Sequence, residues 1–280
     1  MASRNEVSTM FSEADAYERF MGRWSRLVAP ILVEFSEVRE GSAVLDVGSG
    51  TGALSFAVRD RTKAARVAGI DPSAAYVTHA IGKNADPRIH FATGDAQALG
   101  FSDDHFDRTM SLLIMNFVPD RDRALREMIR VTRPGGIISA AVWDYGDGMQ
   151  MLRIFGDEVV RFDAAAAARD EAHMPLCKKG ELAAAWRARG LSDVQETSLQ
   201  VTLRFTSFDD YWEPFELGQG PAGAYVAHLP EERRTELAGR VRHRLLGNGS
   251  DHPFELQASA WAVRGTKPRG GADSNMPSAR

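Results

Sequence analysis

A chain of 280 residues, 44% apolar and 26% charged, has room for one large domain, or one domain with a substantial insertion, and its composition is ordinary for a soluble globular protein. Its formal net charge of −4 gives no electrostatic reason to expect a nucleic acid or an anionic membrane as partner. A single cysteine, Cys177, excludes an internal disulfide and a thiolate cluster on a metal. The first twenty residues lack the charged-then-apolar pattern of a secretory signal, and no apolar run approaches the ~20 residues of a membrane span. The chain reads as cytoplasmic.

In chain order, Tyr17 to Ser36 has apolar residues at helical spacing, with Pro30 expected to mark a break or a new first turn. A strand follows over "SAVLDVGS" and a helix over Gly52 to Asp60. "RVAGIDPS" is a second strand, Ala74 to Lys83 a helix, "RIHFATGDA" a third strand and "FDRTMSLLIMNF" a fourth. Asp120 to Thr132 is a helix stopping at "RPGG", and "GIISAAVW" a fifth strand. Strands separated by helices imply a parallel sheet with helices on both faces.

Past Trp143 the alternation lapses. Met149 to about His173 reads as mainly helical, including "DAAAAARDEA", and "KKGELAAAWRARG" as an amphipathic helix ending at Gly190. "DVQETSLQVTLRF" and "FELQASAWAVRG" alternate as strands, expected to pair antiparallel at the sheet edge. Between them Ser207 to Leu246 is helical, interrupted by "LGQGPAGA", and is expected to fold over the ligand edge. The implied organisation is a helical cap over 1–36, a cofactor-binding core over 37–145, a helical lid with the final strands over 146–265 in the same domain, and a disordered tail over 266–280.

Ligands of such sheets bind at the carboxyl ends of the strands. Gly48, Gly50 and Gly52, Asp71 and Asp95 all fall there. The glycine spacing is not the G-x-G-x-x-G of dinucleotide sites, and Asp46 would repel a pyrophosphate. A ligand with an amino group and a sulfonium, such as S-adenosylmethionine, suits that carboxylate better. Asp71, followed by Pro72, ends the second strand where an acid accepts hydrogen bonds from ribose hydroxyls. Asp95 can accept from an adenine amino group, with the Ala96 backbone beside it.

Together "VLDVGSGTG", "GIDPS", "GDAQALGFSDDHFD" and "RVTRPGG" resemble the class I S-adenosylmethionine-dependent methyltransferases, in particular the small-molecule group that includes the ubiquinone/menaquinone-biosynthesis type. The resemblance runs from about Tyr17 to Trp143. It implies an α/β, Rossmann-like, doubly wound and mostly parallel seven-stranded sheet with an antiparallel edge hairpin and a helical lid insertion. It implies that Asp46, Gly48 and Gly50 border the methionine portion, that Asp71 holds the ribose, and that Asp95 and Ala96 hold the adenine. Tyr17 and Arg26, in "YERFMGRWSR", would meet the cofactor's carboxylate, with Arg23 competing. One departure stands out: many members have a histidine shortly after strand four, where this chain has "LLIMNFVPD" with Asn116 as the nearest polar residue.

The acceptor pocket is expected to include Asn116, Trp143, Tyr211 and Phe215. No metal site, nucleophilic triad or convincing base presents itself, so catalysis is expected mainly by proximity and orientation. Asp144 and Tyr145 are the candidates for any deprotonation. The expected function is methyl transfer to a small, partly apolar metabolite. The alternatives are a non-catalytic S-adenosylmethionine-binding module and a nicotinamide-dependent oxidoreductase. The acceptor, its methylated atom and the oligomeric state are not legible.

Overall fold

A computed structural model describes residues 13–63, 65–163, 165 and 171–269. The helical stretch after Glu13 is made of α1 (Ala14–Tyr17), a π turn (Glu18–Gly22) and α2 (Arg23–Phe35). There follow β1 (Ala43–Val47), α3 (Ala53–Arg61), β2 (Arg66–Asp71), α4 (Ala74–Lys83), β3 (Ile89–Thr93) and β4 (Phe106–Leu112). After these come α5 (Arg121–Val131), β5 (Thr132–Trp143), α6 (Gln150–Phe162), a 3-10 turn (Glu171–His173), α7 (Glu181–Ala188) and β6 (Ser192–Phe205). The chain then runs through α8 (Phe208–Glu216), α9 (Gly220–His228), α10 (Glu231–Leu246) and β7 (Phe254–Thr266).

The seven strands form one sheet in the order β3-β2-β1-β4-β5-β7-β6. The first five are parallel, with crossover helices between β1 and β2, β2 and β3, and β4 and β5, while the connection from β3 to β4 has no helix. β7 runs antiparallel to both β5 and β6. The expected antiparallel edge pair is thus present, and its strands are joined through α8, α9 and α10, the helical stretch expected between them. β4, at the centre, is buried along its whole length, whereas β6, at the edge, alternates. Asp46 faces Gly69 across β1 and β2, and Asp71 faces Thr93 across β2 and β3, so the acidic strand ends line up along one edge.

Three expectations change. Pro30 lies inside α2 without breaking it, since Val28, Ala29, Leu32 and Val33 around it are buried in the core and packing outweighs one lost backbone bond. β4 stops at Leu112 because Leu113 takes a left-handed conformation (φ 63°), so "IMNF" forms a turn. The chain beyond β7 is also tied down. The Gly135 N–H donates to the Lys267 carbonyl (2.8 Å), and Lys267 Nζ donates to Asp104 Oδ1 (2.7 Å) and the Thr132 carbonyl (2.8 Å). The remainder of the expected tail, 270–280, and most of the alanine run at 164–168 lie outside the described residues.

Among the described residues, no helix is long and apolar enough to cross a membrane. A buried arginine shows how the layers are tied together. Arg108, on β4, donates from Nε to the Ser36 carbonyl (2.9 Å) and from Nη2 to that of Glu37 (2.8 Å), covering the exposed carbonyls after α2.

Tyr211 and Phe215 of α8 are fully buried in an aromatic group with Phe155, Phe205 and Phe254. The Tyr211 hydroxyl donates to the Met151 carbonyl at 2.8 Å. Removing the ring in Phe215→Ala is expected to cost about 3–5 kcal/mol through lost burial and a residual cavity. Urea unfolding of the wild type and variant at one pH checks this. A loss below about 1 kcal/mol would mean that α8 is not part of the cooperative core.

Candidate functional site

The loop after β1 is shaped by backbone bonds to the end of β2. The Gly48 and Ser49 N–H groups both donate to the Ile70 carbonyl (2.8 Å each), and the Gly52 N–H to the Ser49 carbonyl (2.8 Å). The Gly50 N–H donates to Asp71 Oδ2 at 2.9 Å. Gly48 has φ 75°, and a Cβ there would fall 2.3 Å from Ile114 Cγ1, so both conformation and space demand glycine. These four amides are already committed to protein acceptors. A phosphate-binding loop needs such donors pointing at the ligand.

Asp71 is held from two sides. Its Oδ1 accepts from the Ser73 N–H (2.8 Å) and its Oδ2 from Gly50. Burial pushes its carboxyl above the usual range, and these two bonds oppose the rise. Asp46, fully buried on β1, is less well served. Ser55 Oγ donates to its Oδ2 (2.7 Å), while Oδ1 has no hydrogen-bond partner among the described residues. Burial, with a smaller contribution from the Asp71 charge, lifts its pKa to about 7 against the Ser55 bond. Asp95 Oδ1 accepts from the Gln97 N–H (3.0 Å) and from Gln97 Nε2 (3.1 Å), which fixes the turn carrying Ala96.

The N-terminal helical stretch turns one face to the site. Tyr17, Phe20, Met21 and Ser25 line the cavity at offsets of 3, 4 and 8 residues, the spacing of one helical face. The Tyr17 hydroxyl is 3.1 Å from Ser25 Oγ, and burial pushes the phenol up to about 12. Glu18, within the turn, accepts from Thr51 Oγ1 of the glycine loop (2.5 Å), from Arg26, and from Lys83 Nζ (3.4 Å). Burial works against its charge, but these partners hold its carboxyl below the usual range.

All of this borders one cavity of about 480 Å³ at the carboxyl ends of β1 to β5. Of the residues expected at the site, Tyr17, Asp46, Gly48, Gly50, Asp71, Pro72, Asp95, Ala96, Trp143 and Tyr145 line it. Arg26 does not: it is exposed and engaged by Glu18, while Arg23 is bidentate on Asp210. Tyr211 and Phe215 stand back from the wall, Phe215 one ring behind Phe20 at 5.1 Å. Asn116 is buried beside the cavity, its Nδ2 3.2 Å from Met174 Sδ. Asp144 accepts the Asp147 N–H (3.2 Å) in the turn after β5 and does not line the cavity. Burial, with the Glu171 carboxylate as the next cause, raises the Tyr145 phenol well above its usual range, so it is no base at neutral pH.

Sequence reasoning passed over Tyr76, Gln97, Glu171, Gly220 and Pro221, which also line the cavity. Only Gln97 carried a local signal, two residues beyond Asp95.

Residues 44–136 match the family model described as a methyltransferase domain. A demethylmenaquinone methyltransferase of Paenarthrobacter aurescens is 37% identical over 154 residues, covering 50% of this chain and 56% of its own. The chain thus spans about half the length of that relative. The demethylmenaquinone methyltransferase of Renibacterium salmoninarum is 32% identical over 178 residues, covering 60% of this chain and 72% of its own. Among solved structures, the methyltransferase in complex with the Trm112 activator of Haloferax volcanii has the same fold. It superposes with a TM-score of 0.59 at 23% identity, over 95% of this chain and 99% of that one.

Asp46 predicts a pH signature. Its pKa rises from 3.8 to about 7 on folding, so the folded state holds the proton more tightly. Its contribution to stability is therefore complete below pH ~4 and is lost as the pH climbs to about 7, at up to ~1.4 kcal/mol per pH unit. Asp46→Asn should remove this loss, so the variant gains on the wild type between pH 5 and pH 8. Urea midpoints at the two pH values measure it, and an unchanged difference would mean that Asp46 does not titrate in this window.

Proposed function

We propose that this chain, which belongs to the class I S-adenosylmethionine-dependent methyltransferases, transfers a methyl group from S-adenosylmethionine to a small, partly apolar acceptor. The observation that carries the reading is the Asp46 carboxylate, fully buried against the cavity with Oδ1 unpartnered among the described residues, beside a loop whose Gly48, Ser49, Gly50 and Gly52 amides are committed to protein acceptors. Such a place favours a cationic amino group and disfavours a phosphate.

In this reading Asp46 receives the cofactor's ammonium, and Asp71 accepts from the ribose hydroxyls on lone pairs left by its backbone bonds. Asp95 and the Ala96 backbone meet the adenine. Neither Arg23 nor Arg26 lines the cavity, so the donors for the cofactor's carboxylate are hydroxyls, with Tyr17 and Ser25 on the π-turn side. The bound cofactor supplies an activated methyl group, and the protein's task is to position the acceptor and exclude water. Phe20, Met21, Trp143 and Leu152 give the apolar wall for that task. A demethylmenaquinone, the substrate in the names of two relatives, is one acceptor of the partly apolar class. A cytoplasmic setting belongs to the same proposal.

Calorimetry with S-adenosylmethionine, S-adenosylhomocysteine and NAD tests the reading. Both S-adenosyl compounds should bind and NAD should not. Asp71→Ala removes hydrogen bonds to a charged acceptor worth about 1.5–3 kcal/mol, so affinity should fall roughly 10- to 100-fold. Binding of NAD, or of neither S-adenosyl compound, would refute the proposal.

A further inference from the structure

β6 ends the sheet, and among the described residues no strand lies beyond it. On β7, Ser259 and Lys267 spend their N–H and C=O groups on the β5 side, so the alternate residues of β7 bond β6. Those residues face Gln195, Thr197, Leu199, Val201 and Leu203. The N–H and C=O groups of Glu196, Ser198, Gln200, Thr202 and Arg204 are therefore left pointing away from the sheet. The Arg204 carbonyl confirms the direction, since it accepts from Arg23 Nη2 (3.2 Å) and not from a strand. Edge strands avoid pairing with other chains by being short, or by proline, lysine or a bulge. β6 has 14 residues with neither proline nor lysine, and its one irregularity lies at Ser192–Gln195, before this row begins.

The row is complementary to itself. Set antiparallel against a second copy with Gln200 opposite Gln200, it places Glu196 opposite Arg204 and Ser198 opposite Thr202 on one face. On the other face Leu199 meets Val201 and Thr197 meets Leu203. A slip of one residue turns the outward groups away from each other. A slip of two puts Arg204 opposite Val194 or Ser198 and loses the charge pair. Arg204 is exposed and makes no ion pair among the described residues. Glu196 accepts the Gly180 N–H (2.8 Å) at the start of α7 and has lone pairs left for a guanidinium. The helix above this edge carries a matching surface. Arg23 of α2 stands over the Phe205 ring, and Leu27 and Ile31 follow it at the spacing of one helical face. Leu27 is 39% exposed, one of three exposed large apolar side chains among the described residues.

We infer that β6 is the seam of a two-fold dimer, in which two seven-stranded sheets join antiparallel into one. Gln200 lies at the axis, and Glu196 pairs with the partner's Arg204. The axis is perpendicular to the sheet, so the Leu27 and Ile31 stripes of the two copies come to the same side and cover each other. No residue of β6 lines the cavity, so the seam and the cofactor site can be tested separately.

Light scattering on the size-fractionated wild type should give twice the 30.7 kDa chain mass at micromolar concentration. Arg204→Glu sets like charges opposite each other and should raise the dimer's dissociation constant about tenfold or more. Gln200→Pro removes an outward N–H and puts a ring in the seam, a change that an edge strand tolerates, and should give monomers. Near-UV circular dichroism like the wild type's certifies the fold of both variants, and if Gln200→Pro unfolds, the exposed Arg204 decides alone. Cross-linking then reads the register. Gln200→Cys places two thiols at the axis with Cα atoms about 5.5 Å apart, within disulfide reach, so mild oxidation should join the copies. Thr202→Cys, displaced from the axis, should not cross-link, nor should the wild type, whose Cys177 is buried. The inference is overturned if the wild type keeps the chain mass throughout, which leaves the edge to a different partner. It is equally overturned if folded Arg204→Glu protein dimerises as tightly as the wild type, or if Gln200→Cys cross-links no better than Thr202→Cys.

Discussion

Much of this site depends on one carboxylate held by two backbone amides. Asp71 receives the Gly50 N–H on one oxygen and the Ser73 N–H on the other, so it ties the loop after β1 to the end of β2 and the start of α4. The Ile70 carbonyl repeats the tie with Gly48 and Ser49. Because both partners are backbone groups of parallel neighbours, the geometry is set by the sheet and not by flexible side chains. It also fixes what the loop can do. With the Gly48, Ser49, Gly50 and Gly52 amides turned to protein acceptors, the loop has few donors left for a phosphate, so a glycine-rich turn after a strand serves a different class of ligand here.

The same packing concentrates negative charge. Asp46 and Asp71 are both buried, and each shifts toward its protonated form because the interior disfavours the ion. Asp71 is partly relieved by its two amides, whereas Asp46 has only Ser55. The buried pair therefore carries unfavourable electrostatics that a cationic ligand would relieve. Stability surrendered at a binding site is recovered on binding, when a ligand takes the native state alone.

How much was legible follows from how local each signal is. The five parallel strands were readable because apolar runs, caps and glycines recur within a few residues of each other, and the acidic residues sit at the strand ends that the alternation defines. Glu171 carried no such signal. Its place on the cavity depends on where the chain returns after α6, which no spacing encodes. Aromatic spacing in α8 announced burial of Tyr211 and Phe215, but not whether they face a cavity or other rings. Arg26 looked available because its partner, Glu18, is eight residues away, across a π turn with no sequence mark. At Pro30 a sound local rule was overridden by packing, and Leu113 took a left-handed backbone that nothing about leucine suggests.

The site is held rigidly along one edge and lightly over it. Below, the loop and strand ends are joined by several backbone bonds within a buried sheet. Above, the covering elements touch that edge through side-chain contacts: Glu18 on Thr51 and Lys83, the Tyr17 ring on that of Tyr76 (centroids 5.2 Å apart), and the Tyr76 hydroxyl 3.4 Å from Gln219 Oε1, just before α9. Gly220 and Pro221 of α9 complete that wall with no side chain able to form a further bond. Contacts of this kind are each worth about 1 kcal/mol, far below the cost of disturbing the sheet. In the proposed function, selectivity for the cofactor belongs to the fixed edge, and selectivity for the acceptor to the end of the cavity beside Trp143 and Tyr145.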